Sequence, residues 1–227
     1  MSSDEDQLKI AAAESAVTQI SSGMVVGLGS GSTAAFAVAA IGRRVREGLR
    51  IVGIPTSEST AAQARTLGIP LTTLSEKPRV DITIDGADEV EEGNLNLIKG
   101  HGGALLREKI VAISSERLVI VVHDSKLVKR LGVTFPVPVE VVPFGWQTTA
   151  RHLTALGTKP SLRKSGDGEP YRSDGGNYIL DCWFDPSGSV ESLADRLDHV
   201  VGLVEHGFFI GLTSQVHAAG AGGLRIL

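Results

Sequence analysis

Met24-Val25-Val26-Gly27-Leu28-Gly29-Ser30-Gly31-Ser32-Thr33-Ala34 begins as an apolar run, crosses a stretch of glycines and hydroxyls, and enters a helical pattern. That pattern holds over residues 32–47, and Arg50-Ile51-Val52-Gly53-Ile54-Pro55 then makes a second short apolar run. Strand, amphipathic helix and strand in this order form a βαβ unit, which predicts a parallel sheet. The pattern repeats outward from it. Residues 7–22 read as a helix, 61–67 as a short helix, Val80-Asp81-Ile82-Thr83-Ile84-Asp85 as a strand, 103–114 as a helix and 117–122 as a strand. In such sheets ligands bind beyond the carboxyl ends of the strands. Gly29–Thr33, Thr56–Thr60, Asp85–Asp88 and His123–Lys126 all occupy that position.

Pro136, Pro138 and Pro143 mark a change of organisation. Beyond them the order is strand (137–142), helix (145–157), strand (158–164), a turn-rich stretch, strand (177–184), helix (189–202) and strand (203–210). This βαββαβ order is that of a ferredoxin-like unit. The tail Ala218-Ala219-Gly220-Ala221-Gly222-Gly223-Leu224-Arg225-Ile226-Leu227 ends apolar and is expected to return to the first sheet. The fold class is therefore α/β: a Rossmann-like, mostly parallel sheet flanked by helices, with a second, smaller ferredoxin-like α+β domain. The catalytic domain is assigned to 1–131 and 206–227, the smaller one to 132–205.

Composition narrows the function. Of the 227 residues 42% are hydrophobic and 21% charged, which removes disordered and fibrous classes. A net charge of −4 argues against a nucleic-acid partner, which needs a basic face. No apolar run approaches a membrane span, and the acidic start Met1-Ser2-Ser3-Asp4-Glu5-Asp6 lacks signal-peptide character, so a cytoplasmic protein is expected. Cys182 reads as a packed thiol, and Trp146 and Trp183 as core. His123, His152, His199, His206 and His217 show no metal-ligand spacing.

Two segments carry the chemistry. The glycine loop fits a phosphate grip made by backbone N–H groups, a helix N-terminus and the hydroxyls of Ser30, Ser32 and Thr33. Its alternative is a plain helix cap by Ser32 or Thr33. A dinucleotide site would need an acid ending the second strand, where Pro55-Thr56-Ser57 stands instead. The second segment runs from Asp85-Gly86-Ala87-Asp88-Glu89 to Lys99-Gly100-His101-Gly102-Gly103-Ala104-Leu105-Leu106-Arg107-Glu108-Lys109. On a helix, Glu108 has Ala104, Leu105, Val111 and Ala112 as neighbours, so desolvation should raise its pKa towards that of a general base. A salt bridge to Arg107 or Lys109 is the structural alternative, as Asx-turn capping is for Asp85.

With these motifs the chain resembles the ribose-5-phosphate isomerases of type A over nearly its whole length. The likeness rests on Gly29–Ala34, Asp85–Glu89, Lys99–Leu105, Arg107–Lys109 and Pro138-Val139-Glu140-Val141. It implies an aldose–ketose isomerase that needs neither metal nor cofactor, takes a pentose 5-phosphate and forms homodimers or larger assemblies such as homotetramers. By the same resemblance Glu108 is the base, and Asp85, Asp88 and Lys99 serve the sugar oxygens. Lys9, Ser30, Gly31, Ser32, Thr33, Gly86, Ala87, Gly100 and Lys126 would bind substrate. His101 departs from many relatives and receives no catalytic role. A catalytically silent sugar-phosphate sensor is the alternative of another class. The N-terminus lacks the length and basic charge of the DNA-binding module that such sensors carry.

Overall fold

A computed structural model describes residues 4–185 and 187–227. Its elements are α1 (Asp4–Val17), β1 (Val25–Leu28), α2 (Ser32–Arg46), β2 (Val52–Pro55), α3 (Glu58–Thr66), β3 (Ile82–Asp85), β4 (Glu89–Glu91), β5 (Leu97–Ile98) and α4 (Leu105–Ile113). There follow β6 (Leu118–His123), β7 (Leu127–Val128), β8 (Val137–Val141), α5 (Trp146–Ala155), β9 (Lys159–Leu162), β10 (Tyr178–Trp183), α6 (Val190–Leu197), β11 (Leu203–His206), β12 (Phe208–Phe209), β13 (Gln215–Gly220) and β14 (Gly223–Ile226). The chain divides into two compact units. One holds the chain up to Ala87, Arg107–Leu127 and Gly211–Leu227; the other holds Asp88–Leu106 and Val128–Ile210. The two interleave along the sequence, and Asp88–Leu106 belongs with the unit that contains the ferredoxin-like strands.

The first unit is built on a six-stranded sheet of order β14-β13-β6-β3-β1-β2. Every neighbouring pair is parallel except β13 with β14. The tail thus returns to this sheet. Side-chain alternation sorts its two faces. Val26, Leu28, Ile82, Ile84, Val119 and Val121 pack with Ala12, Ala16, Val38 and Ile41 of α1 and α2. On a separate cluster, Ile54 and Val80 pack with Val111 of α4. A Cβ placed on Gly27 would fall 1.8 Å from Thr83 Oγ1 and 2.8 Å from Val111 Cγ1, so α4 rests directly on β1 and β3.

The direction of α1 is set at its far end. His217 Nδ1 lies 2.9 Å from Ser15 Oγ, and Gln19 Nε2 donates to Gln215 Oε1 at 2.7 Å, near the start of β13. The N-terminal turn of α1 therefore points towards the carboxyl edge of the sheet. Burial holds the pKa of His217 below its ordinary value of 6.5, with the charge of Arg117 adding to the effect. The unfolded chain thus takes up a proton near pH 6.5 that the folded chain refuses. Stability should fall as pH drops through 6.5 and below, and His217→Asn should flatten that part of a urea-midpoint profile against pH. An unchanged profile would remove His217 as its source.

The second unit contains a four-stranded antiparallel sheet of order β11-β8-β10-β9, with α5 and α6 in the two crossover positions of the ferredoxin-like pattern. Its core includes Val137, Val139, Leu153, Leu180, Leu193 and Leu197. Cys182 is in this core, and burial pushes its thiol up to about 12, which leaves it inert. Trp146 packs against the same cluster, whereas Trp183 is 44% exposed, because β10 turns it to the outer face. A second small sheet, of order β12-β5-β4-β7, carries the 88–101 segment. Among the described residues, no helix is long and apolar enough to cross a membrane.

Candidate active site

The carboxyl edge of the parallel sheet presents four loops, after β2, β1, β3 and β6. The central contact is between two of them. Ser30 N donates to Asp85 Oδ1 at 3.0 Å, and Gly86 N donates to the same oxygen at 2.7 Å. The Asp85 side chain is almost wholly buried, held by the two backbone amides. Asp85 Oδ1 takes the N–H of the next residue and that of Ser30, and these bonds fix its carboxylate where the two loops meet.

Ser30 itself turns inward. Its hydroxyl lies 2.7 Å from Thr56 Oγ1, donates to Ser57 Oγ at 2.8 Å and lies 3.1 Å from Thr60 Oγ1. Thr60 Oγ1 donates in turn to the Gly29 carbonyl at 3.0 Å. This buried hydroxyl cluster braces the glycine loop against the start of α3, and Ser57 caps α3 by accepting from Thr60 N. The tie was legible only as a row of hydroxyl residues after β2. Gly31, with φ of 97°, takes the N-cap position of α2, and no side chain caps that helix. The plain-cap reading of Ser32 or Thr33 therefore falls. Ser32 is exposed and Thr33 half-buried at the first turn of α2, and Gly86 and Ala87, which follow β3, are also half-buried.

Glu108 stands in the first turn of α4 and is 4% exposed. Val111 of this helix lies over Gly27 and Thr83, and Ser115 Oγ lies 2.7 Å from Thr83 Oγ1. The Ser114 carbonyl accepts from Val80 N at 2.9 Å, just before β3, so α4 runs antiparallel to β3, and Glu108, about 4.5 Å up the axis from Val111, lies towards the carboxyl edge. Its neighbour Arg107 donates to Glu58 Oε1 at 2.8 Å, which also holds the Glu58 carboxyl below its usual range. The Arg107 guanidinium is engaged there.

Lys126 closes the short 3₁₀ turn Asp124–Lys126 after β6 and is half-buried. Lys9 pairs with Glu5 at 2.7 Å, and that contact first, with the charge of His123 as a smaller cause, lowers the Glu5 pKa. Lys9 and Glu5 both stand in the first turns of α1.

In the second unit, Asp88 N donates to the Ile98 carbonyl at 2.8 Å, and Asp88 Oδ2 accepts from His101 N at 2.9 Å. Lys99 is 2% exposed, its Nζ 5.6 Å from the centroid of the Phe209 ring. The buried Gly100 follows it, with φ of 107°. Arg163 Nη1 donates to the carbonyls of Gly100 and His101 at 3.0 and 2.8 Å. His101 is exposed and sets its ring edge-on to Phe135, 5.4 Å between centroids. Glu89, fully buried, accepts from the amides of Gly132, Thr134 and Phe135 and so anchors that loop. Asp198, Glu205 and His206 also come within 4.8 Å of one another, a grouping that no sequence spacing suggested. Phe208 N donates to His206 Nδ1, which puts the ring proton on Nε2, facing Asp198 Oδ1 at 3.1 Å. The grouping is thereby hydrogen-bonded within itself.

The family model for ribose 5-phosphate isomerase A (phosphoriboisomerase A) matches residues 52–223. The chain is 57% identical to the ribose-5-phosphate isomerase A of Gloeobacter violaceus over 224 residues, covering 99% of this chain and 97% of that protein. It is 56% identical to that of Synechococcus sp. over 223 residues, covering 98% and 97%. Among solved structures, ribose 5-phosphate isomerase A of Methanocaldococcus jannaschii superposes with a TM-score of 0.94 at 40% identity, covering 99% of both chains. A D-ribose-5-phosphate isomerase in complex with phospho-erythronic acid does so with a TM-score of 0.94 at 33% identity and the same coverage. A match of this length, in sequence and in fold, establishes that the chain belongs to the ribose 5-phosphate isomerase A family.

Proposed function

We infer that this chain interconverts D-ribose 5-phosphate and D-ribulose 5-phosphate through an enediolate. The observation that carries the mechanism is Glu108, a buried carboxylate in the first turn of α4, towards the carboxyl edge of the sheet. In the open-chain aldose, Glu108 takes the proton from C2 and returns it to C1, while the hydroxyl proton passes from O2 to O1. Asp85, Asp88 and Lys99 serve the two oxygens, with Lys99 offsetting negative charge as it develops. The amides of Ser30 and Gly86 fix the orientation of the Asp85 carboxyl group, which suits an acceptor for a sugar hydroxyl. Phospho-erythronic acid, bound by the structural relative, supports this chemistry. It is one carbon shorter than the pentose, and its planar carboxylate presents two oxygens much as an enediolate does.

The phosphate is assigned to the first turn of α2, with Gly31, Ser32 and Thr33, and to Lys126 and Lys9. Gly86, Ala87 and Gly100 line the sugar through their backbones. Ser30 serves by bracing the loop, since its hydroxyl is committed to Thr56, Ser57 and Thr60. The protein acts in the cytoplasm as a homo-oligomer, the homodimer being the assembly we assign. Purified chain supplied with ribose 5-phosphate should produce ketose in a continuous spectrophotometric assay. In the same assay Lys126→Ala should raise KM about tenfold and lower kcat less, because a phosphate contact exists before and during the reaction. Tight binding of the pentose phosphate without conversion would instead establish the sensor.

A further inference from the structure

We propose that Arg163 is a positioning residue for this isomerisation: it fixes the peptide planes of the Lys99–Gly103 loop and so aims the Gly102 N–H at a substrate oxygen. The inference rests on the isomerase reading above.

Arg163 is a mostly buried guanidinium whose donors are distributed with a purpose. Nε donates to Asp181 Oδ2 at 2.9 Å and Nη2 to Asp181 Oδ1 at 2.5 Å, a two-pronged pair that leaves little rotational freedom. Asp181 lies on β10, inside the antiparallel sheet, so the anchor is a strand. Nη1 then takes both the Gly100 and the His101 carbonyl. The guanidinium also stands 5.8 Å from the Tyr171 ring, and Tyr171 Oη donates to the Gly102 carbonyl at 3.3 Å. Three successive carbonyls of the loop are thus held from one side.

In a trans peptide the N–H points opposite to the C=O. Holding the Gly100 carbonyl on Arg163 therefore turns the His101 N–H the other way, and that N–H meets Asp88 Oδ2 at 2.9 Å. Holding the His101 carbonyl turns the Gly102 N–H away from Arg163 in the same manner. Gly102 is exposed, and among the described residues no acceptor takes its N–H. The charge of Arg163 on the His101 carbonyl also polarises this amide, making it a stronger donor. A preoriented amide of this kind, three residues after Lys99, suits an oxygen that gains charge in the transition state.

Arg163→Lys keeps a positive charge but loses the planar fork, and Asp181→Asn removes the anchor while keeping its shape. Each should lower kcat on ribose 5-phosphate by about 10- to 100-fold, the range in which small misplacements act, with KM changed less than about threefold. Arg163→Gly should regain part of its kcat when millimolar methylguanidinium is added. Wild-type kcat and KM in Arg163→Lys would overturn the proposal. So would losses that follow a lowered melting temperature in every variant without methylguanidinium rescue, since that pattern assigns Arg163 to stability alone. Wild-type turnover on the same substrate separates these results from a failure of the isomerase reading.

Discussion

Glu108→Gln should lower turnover on ribose 5-phosphate by about 10³-fold or more while KM stays within a few-fold of the wild type. The substitution keeps the size and hydrogen-bonding reach of the side chain and removes only its capacity to accept a proton. Positioned general bases contribute about 10²- to 10⁴-fold, so losing the base altogether falls in the upper part of that range. The residue is 4% exposed, and Arg107, the cation beside it in sequence, is turned to Glu58. Binding should survive, because the phosphate grip and the contacts to the sugar oxygens are untouched. Deuterium from heavy water, which a shared carboxylate base would deliver to C1 of the ketose, should no longer be incorporated. Near-normal turnover in Glu108→Gln would remove Glu108 from the mechanism.

How far the sequence predicts this arrangement depends on the range of the interactions involved. The parallel strands are legible because each is a short apolar run followed by a helical period. The ferredoxin-like order is legible for the same reason, with helix ends misplaced by a few residues. The first helix, for example, reads as 7–22 in sequence, although the helix runs Asp4–Val17. Strands β4 and β5 have two or three residues each and include charged Glu89 and Glu91, so no local signal announces them. Glu89 is buried because amides 43 to 46 residues away close on it. The same limit governs the site. Glu108 stands out by its apolar helix neighbours, a local property. The inward turn of Ser30 requires the loop after β2 to lie alongside, and the pairing of Arg163 with Asp181 requires β10. An acid inside the apolar strand Tyr178–Trp183 was the one available hint that a cation must come to meet it.

Gly29→Ala should cost about 3 kcal/mol of stability, the upper part of the range for overpacking. Turnover should fall with it by about 100-fold, as expected for a displaced catalytic group. A Cβ on Gly29 would lie 2.3 Å from Asp85 Oδ1 and 2.5 Å from both Cγ and the backbone Cα of Asp85. A flexible side-chain tip could move aside, but the Cα belongs to β3, which is hydrogen-bonded to β6 on one side and β1 on the other. Two outcomes remain. Either β1 and β3 part at their carboxyl ends, breaking the bond from Gly29 N to the Ile84 carbonyl, or the Asp85 carboxylate leaves the Ser30 and Gly86 amides. Both displace Asp85, so stability and chemistry fail together. Gly222→Ala is the matched control, since its Cβ would meet nothing within 4 Å, and it should change stability by less than about 0.5 kcal/mol. If Gly29→Ala melted and turned over like Gly222→Ala, the close approach of the glycine loop to Asp85 would not be the constraint that shapes this site.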